Sequence, residues 1–207
     1  MAVGNLPPRP AFGRSPQGRV TARSAVEGAD DCSEPTYASA LRVVVFGWGN
    51  DARGDDSLGP LLLARVAQAP LPGVTTIEDF QLQIEHALDL DGASLALFID
   101  AGKDTPAPFT FAEIFPRRDA SHTTHALSPE AVLDVYARSL KRSPPPSFAL
   151  CVRGERFELG EGLSAEAAER LEAASAFLEA LMRAPSVESW RRVALTPGSS
   201  KAGPPSG

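Results

Sequence analysis

Two runs of nearly unbroken apolar residues, LRVVVFG (41–47) and ASLALFIDA (93–101), constrain this chain more than any other feature. A strand apolar on both sides must be covered on both sides, the condition of a parallel sheet buried between helices. Three further stretches, GVTTIEDF (73–80), FTFAEIF (109–115) and SFALCVRG (147–154), also read as strands. Between them lie helical patterns: DDSLGPLLLARVAQA (55–69), the short QIEHALDL (83–90), SPEAVLDVYARSLK (128–141) and SAEAAERLEAASAFLEALMR (164–183). The last places Leu171, Ala174, Phe177, Leu178 and Leu181 on one face. Strand and helix alternating at this spacing predict an α/β three-layer sandwich, a mostly parallel central sheet of about five strands flanked by helices.

With 207 residues, 43% of them hydrophobic, the chain suits one core, and we assign the domain to residues 41–185. Residues 1–38 are rich in Pro, Gly, Ser and Arg and lack periodicity, which predicts a disordered tail; residues 186–207 read as a second, loose one. The arginines and serines of the first tail resemble those of an organelle transit peptide, but its prolines and glycines spoil the amphipathic helix. An over-extended start of translation accounts for it equally well.

Charge excludes one class of function. The net charge is -6, yet residues 1–26 hold four arginines and no acid, so the remainder carries 16 basic against 26 acidic side chains, a net of -10. Such a body is ill suited to neutralising phosphates, and no nucleic-acid partner is expected. No apolar run approaches the roughly 18–20 residues that cross a bilayer, and no secretory stretch opens the chain, so we expect a cytoplasmic protein without a membrane partner. Cys32 and Cys151 read as buried or idle thiols of a reducing compartment. The absence of a coiled-coil pattern leaves a monomer as the expectation.

The first strand runs into VVVFGWGNDARGDD (43–56), a glycine turn followed by two adjacent acids. Ligands of open parallel sheets bind at the carboxyl ends of strands. Asp55 and Asp56 follow the first strand, and Asp100 ends the third. Capping of the following helix explains one acid of the pair, because an Asp side chain accepts the free amides of a first turn. The second must find water, a metal, or an arginine such as Arg53. Asp100 closes a strand that should be buried, where an unpartnered acid is costly. A dinucleotide site fails here: the third glycine of GWGNDARG falls too late, and the acids would sit where a pyrophosphate must lie.

A third partner can come from only three histidines, His86, His122 and His125. His86 lies in QIEHALDL and reads as a surface or packing residue. His122 and His125, in SHTTHALSPE, precede a helix that returns to the strand ends, and either can serve. Two carboxylates and an imidazole suit a divalent transition ion, nickel or zinc rather than magnesium, with coordination positions left open. Nucleophilic catalysis has no signature: there is no G-x-S-x-G elbow, no H-E-x-x-H helix and no cysteine beside a histidine. A hydrolase built from this chain would have to activate water through a metal.

The ordered set VVVFGWGNDARGDDSLGPLLLARV, LFIDA, TTHALSP and VRGERFELGEGLS resembles the hydrogenase maturation endopeptidases over about residues 42–182. The resemblance implies a peptidase that trims the C-terminal extension of a nickel-iron hydrogenase large-subunit precursor after nickel insertion. It also implies that Asp56, Asp100 and His125 are the catalytic, metal-contacting residues, and that nickel is supplied by the substrate protein. Members of the family often carry Glu where this chain has Asp56, and their glycine-rich turn after the second strand is replaced here by DFQLQIEH. Asn50 and Trp48 are expected to shape the first turn, Trp48 as a half-exposed aromatic that could face the partner. The alternative function is a non-catalytic nickel-checking or chaperone module that binds the large subunit without cutting it.

Overall fold

The structure, a computed structural model, describes residues 41–69, 71–118 and 127–195. Five strands form one sheet: β1 (Val43–Trp48), β2 (Val74–Asp79), β3 (Leu95–Gly102), β4 (Phe109–Ile114) and β5 (Ser147–Arg153). Their order is β2-β1-β3-β5-β4. All neighbours are parallel except β4, which runs antiparallel to β5. The helices are α1 (Leu58–Gln68), α2 (His86–Asp89), α3 (Pro129–Leu140), α4 (Ala165–Met182) and α5 (Val187–Ala194). The expected α/β sandwich with a mostly parallel five-stranded sheet is the observed one.

Strand alternation distributes the apolar side chains between two cores. Val43, Val45, Leu95, Leu97 and Ile99 of β1 and β3 pack with α1, α4 and α5 on one face. Val44, Phe46, Ala96 and Phe98 pack with α2 and α3 on the other. This double burial is why the two central strands carry no polar residue until their carboxyl ends. Each large side chain so enclosed contributes about 1.5–3 kcal/mol. Serines cap the two long helices: Ser128 Oγ accepts the Ala131 amide and Ser164 Oγ the Ala167 amide.

One boundary needs correction. The segment from 186, expected to be loose, forms α5 over Val187–Ala194. Trp190 is wholly buried, lies edge-on to Phe148 at 5.3 Å and donates its indole N–H to the Leu181 carbonyl. Arg191 then grips Glu113 of β4. Trp190, the packing of Val187, Val193 and Ala194 on the core, and the Arg191–Glu113 pair hold the helix on the sheet, and eight residues are too few for periodicity to announce it. The first tail, residues 1–38, lies outside the described residues.

Candidate active site

The strand order reverses between β1 and β3, because the chain leaves β1 toward β2 on one side and enters β3 on the other. A crevice at the carboxyl ends of two such strands is the natural ligand position of an open parallel sheet. Gly47 of β1 pairs with Ile99 of β3, so Asp100 continues the ladder beside Trp48, where β1 passes into the turn.

The turn is built by glycine and asparagine. Gly49 adopts φ +143°, and a Cβ there would meet the Asp56 carbonyl oxygen at 2.0 Å, so a side chain is excluded on both counts. Asn50 Oδ1 accepts the Ala52 amide at 2.9 Å, while the Asn50 amide donates to Asp56 Oδ2 at 3.0 Å. The Asp56 carboxylate is thereby aimed back across the turn instead of capping α1. A 3-10 turn, Gly54–Ser57, carries both acids into the helix. Trp48 is partly buried and edge-on to Phe98 at 6.3 Å, a packing role on the α2/α3 face.

Asp55 has a different role from capping its own helix. Fully buried, it accepts the amides of Glu155 (2.6 Å), Arg156 (3.0 Å) and Ser164 (2.7 Å) and the Ser164 hydroxyl (2.8 Å). Burial, the largest single influence, pushes this carboxyl up; the four donors together outweigh it and hold it below its ordinary value of 3.8. Further bonds reinforce the clamp: the Asp55 amide donates to the Arg156 carbonyl and the Gly54 amide to the Glu161 carbonyl. Gly154 completes it, since a Cβ there would press on the Asp55 Cβ at 2.9 Å. Arg53 takes part too, donating to the Phe157 carbonyl at 3.3 Å instead of pairing with Asp56. One of the two adjacent acids therefore ties the turn to the β5–α4 loop, and the other is held by the Asn50 amide at the carboxyl end of β1.

Asp100 is partly buried and accepts the Ala101 amide at 2.7 Å. Its carboxyl is pushed up to about 7: burial is the main cause, the Ala101 amide opposes it, and the negative charge of Asp56 raises it further. The charge of Asp56, 44 residues away in sequence, thus reaches Asp100. Among the described residues neither has a basic partner. Two carboxylates that repel one another at a strand-end crevice make a site short of positive charge, the arrangement a cation relieves. Opposite Asp100 on β5 lies Cys151, whose Sγ is 2.9 Å from Thr105 Oγ1. Burial pushes that thiol up to about 11, in keeping with an idle cysteine.

Among the described residues no group of three His, Cys, Asp or Glu side chains is arranged to hold a metal. His122 and His125 lie outside the described residues. Leu127, two residues along the chain from His125, donates its amide to the Leu82 carbonyl, in the segment that follows β2. α3 then packs against the face toward which alternation turns Asp100. His86 is a packing residue: it is buried, lies edge-on to Phe46, accepts the Gln83 amide at Nδ1, and its Nε2 is 3.5 Å from Asp79 Oδ2. No helix among the described residues is long and apolar enough to cross a membrane.

No family model matches the sequence, and no curated protein does. Solved structures do match. The chain is similar to a NiFe hydrogenase maturation protease, HycI, from Thermococcus kodakarensis, with 21% identity, a TM-score of 0.56, and coverage of 72% of this chain and 96% of that one. It is similar to the hydrogenase maturating endopeptidase HybD from Escherichia coli, with 20% identity, a TM-score of 0.57, and coverage of 69% and 93%. An endopeptidase from Escherichia coli solved in solution aligns at 20% identity and a TM-score of 0.55, covering 69% and 93%. The chain has the fold of the hydrogenase maturation proteases.

Proposed function

We propose that this chain is an endopeptidase that removes the C-terminal extension of a nickel-iron hydrogenase large-subunit precursor once nickel has been inserted. The observation that carries the reading is that Asp56 and Asp100 both stand at the carboxyl ends of the adjacent strands β1 and β3, near enough for the charge of Asp56 to raise Asp100. Asp55, already satisfied by four donors, is not available for this purpose. The fold shared with maturation proteases supports the same reaction class.

In this reading the substrate's nickel is met by Asp56, Asp100 and His125. Two oxygen donors and one imidazole suit a borderline divalent ion and leave positions open for the precursor's own ligands. A cation held there polarises the adjacent peptide carbonyl or activates a water. The Asn50 amide fixes the orientation of Asp56, and burial keeps Asp100 partly protonated near neutral pH, so that an arriving cation, which favours the charged form, promotes loss of its proton. Metal occupancy of the precursor would in this way gate cleavage.

The test is incubation of the protein with nickel-loaded precursor and with the same precursor free of metal, followed by intact-mass measurement. The expected result is loss of the extension from the loaded form alone. Equal trimming of both forms defeats the gating, and binding of the loaded form with no cleavage assigns the chain to nickel checking instead.

A further inference from the structure

The segment DFQLQIEHAL (79–88), which follows β2, holds three large apolar side chains out in water: Phe80, Ile84 and Leu88 are 73%, 60% and 64% exposed. Scattered exposed apolar residues are ordinary. These three stand within nine residues, on a segment that is firmly held from beneath. Leu82, Ala87 and Leu90 are buried in the core of the α2/α3 face. Asp79 accepts the Phe80 amide at 2.6 Å and the Gln83 side-chain amide at 3.1 Å. Consecutive turns fix the backbone between them: the His86, Ala87 and Leu88 amides donate to the Gln83, Ile84 and Glu85 carbonyls, and Ile84 and Leu88 stay exposed while Ala87 is buried. Their combined apolar area is on the order of a few hundred Å², the size of patch that on a soluble protein commonly serves binding.

The ridge adjoins the proposed site. Phe80 also lines a cleft of about 400 Å³ with Gly49, Asp51, Glu78 and Asp79. Gly49 is the residue packed against the Asp56 carbonyl, so the cleft opens beside the turn that carries Asp56. Asp51 and Glu78 have no basic partner among the described residues. An apolar ridge continuous with an acidic cleft fits a protein surface that offers an apolar patch flanked by lysine or arginine. Resting on the function proposed above, we infer that Phe80, Ile84 and Leu88 form the docking surface for the body of the precursor protein, while the Asp51/Glu78 cleft receives a basic side chain of the same partner. Cleavage specificity then resides partly in a ridge outside the metal-contacting residues.

Cleavage kinetics on nickel-loaded precursor test this. The triple variant Phe80→Ser/Ile84→Ser/Leu88→Ser alters only exposed side chains and should keep the wild-type Tm. Its KM should rise about tenfold or more with kcat within about twofold, because these side chains grip the partner's body and touch neither the cation nor the scissile bond. Asp51→Asn/Glu78→Gln should raise KM and flatten its dependence on ionic strength. A triple variant with wild-type KM overturns the docking surface while leaving the endopeptidase reading standing. If the triple substitution instead abolishes a wild-type dimer in sedimentation velocity at unchanged KM, the ridge is a contact between copies and the inference is wrong. A wild-type protein that neither cleaves nor binds the loaded precursor removes the endopeptidase reading, and the docking surface with it.

Discussion

Replacing Asp100 with asparagine should stabilise the metal-free protein at neutral and alkaline pH, although it should abolish activity. The reasoning is electrostatic. Asp100 is held to about 7 in the folded chain against an ordinary 3.8, mainly by burial and with a contribution from Asp56. At 1.36 kcal/mol for each factor of ten, ionising this carboxyl in the folded state costs about 4 kcal/mol as an upper bound. Relaxation and water entry at the partly exposed crevice reduce that to about 2 kcal/mol. Since the folded value is raised, the folded state binds more protons than the unfolded one between about pH 4 and 7, and stability falls as pH rises through that window. Below about pH 4 the acid is protonated in both states and the two proteins should differ little. Asparagine keeps the acceptor for the Ala101 amide and never ionises. Urea unfolding in the presence of a chelator, at about pH 4 and about pH 8, reads the difference. The variant's advantage should grow by about 2–4 kcal/mol between the two. A gap that stays flat, or that shrinks with rising pH, would refute the claim that Asp100 is an unneutralised acid.

Asp55 should behave in the opposite way. Asp55→Ala strands three buried amides and a hydroxyl and should cost about 3–5 kcal/mol in thermal or urea unfolding, whereas a loss under about 1 kcal/mol would show the clamp to be incidental. Because its carboxyl lies below the ordinary value, the stability Asp55 supplies is present above about pH 4 and lost as pH falls through the folded value, so Asp55→Ala should flatten the acid limb of the unfolding curve. Gly49→Ala forces both a strained φ and a clash with the Asp56 carbonyl; it should cost more than about 2 kcal/mol or displace the turn, and a variant of wild-type stability and activity would contradict the geometry.

The fold was largely legible because β1 and β3 are apolar on both faces, which forces a covered sheet. The helical stretches read at 128–141 and 164–183 match α3 and α4 to within a residue at each end. Where legibility ended, tertiary contact decided the outcome. Asp55 and Ser164 are 109 residues apart, and nothing local to GDD says that its first acid turns away from the crevice toward the β5–α4 loop. The helix over Val187–Ala194 depends on Trp190 finding Phe148 and Phe111, a contact that local pattern does not encode. The burial of His86 follows from its bond to Gln83 and its closeness to Asp79, again invisible as spacing alone. The sequence suggested pairing Asp56 with Asp100 because one follows a strand and the other stands near the carboxyl end of a strand that must both be covered on two faces, and neighbouring parallel strands end at the same rim; β3 in fact runs two residues past Asp100, to Gly102.

The central claim is that Asp56 and Asp100 together meet one cation carried by the substrate. It is tested most directly by the intact mass of nickel-loaded precursor after incubation with wild type, Asp56→Ala and Asp100→Ala, each variant verified as folded. The account predicts that wild type removes the extension and that both variants leave the precursor at full length. Trimming by either variant at the wild-type rate would contradict it.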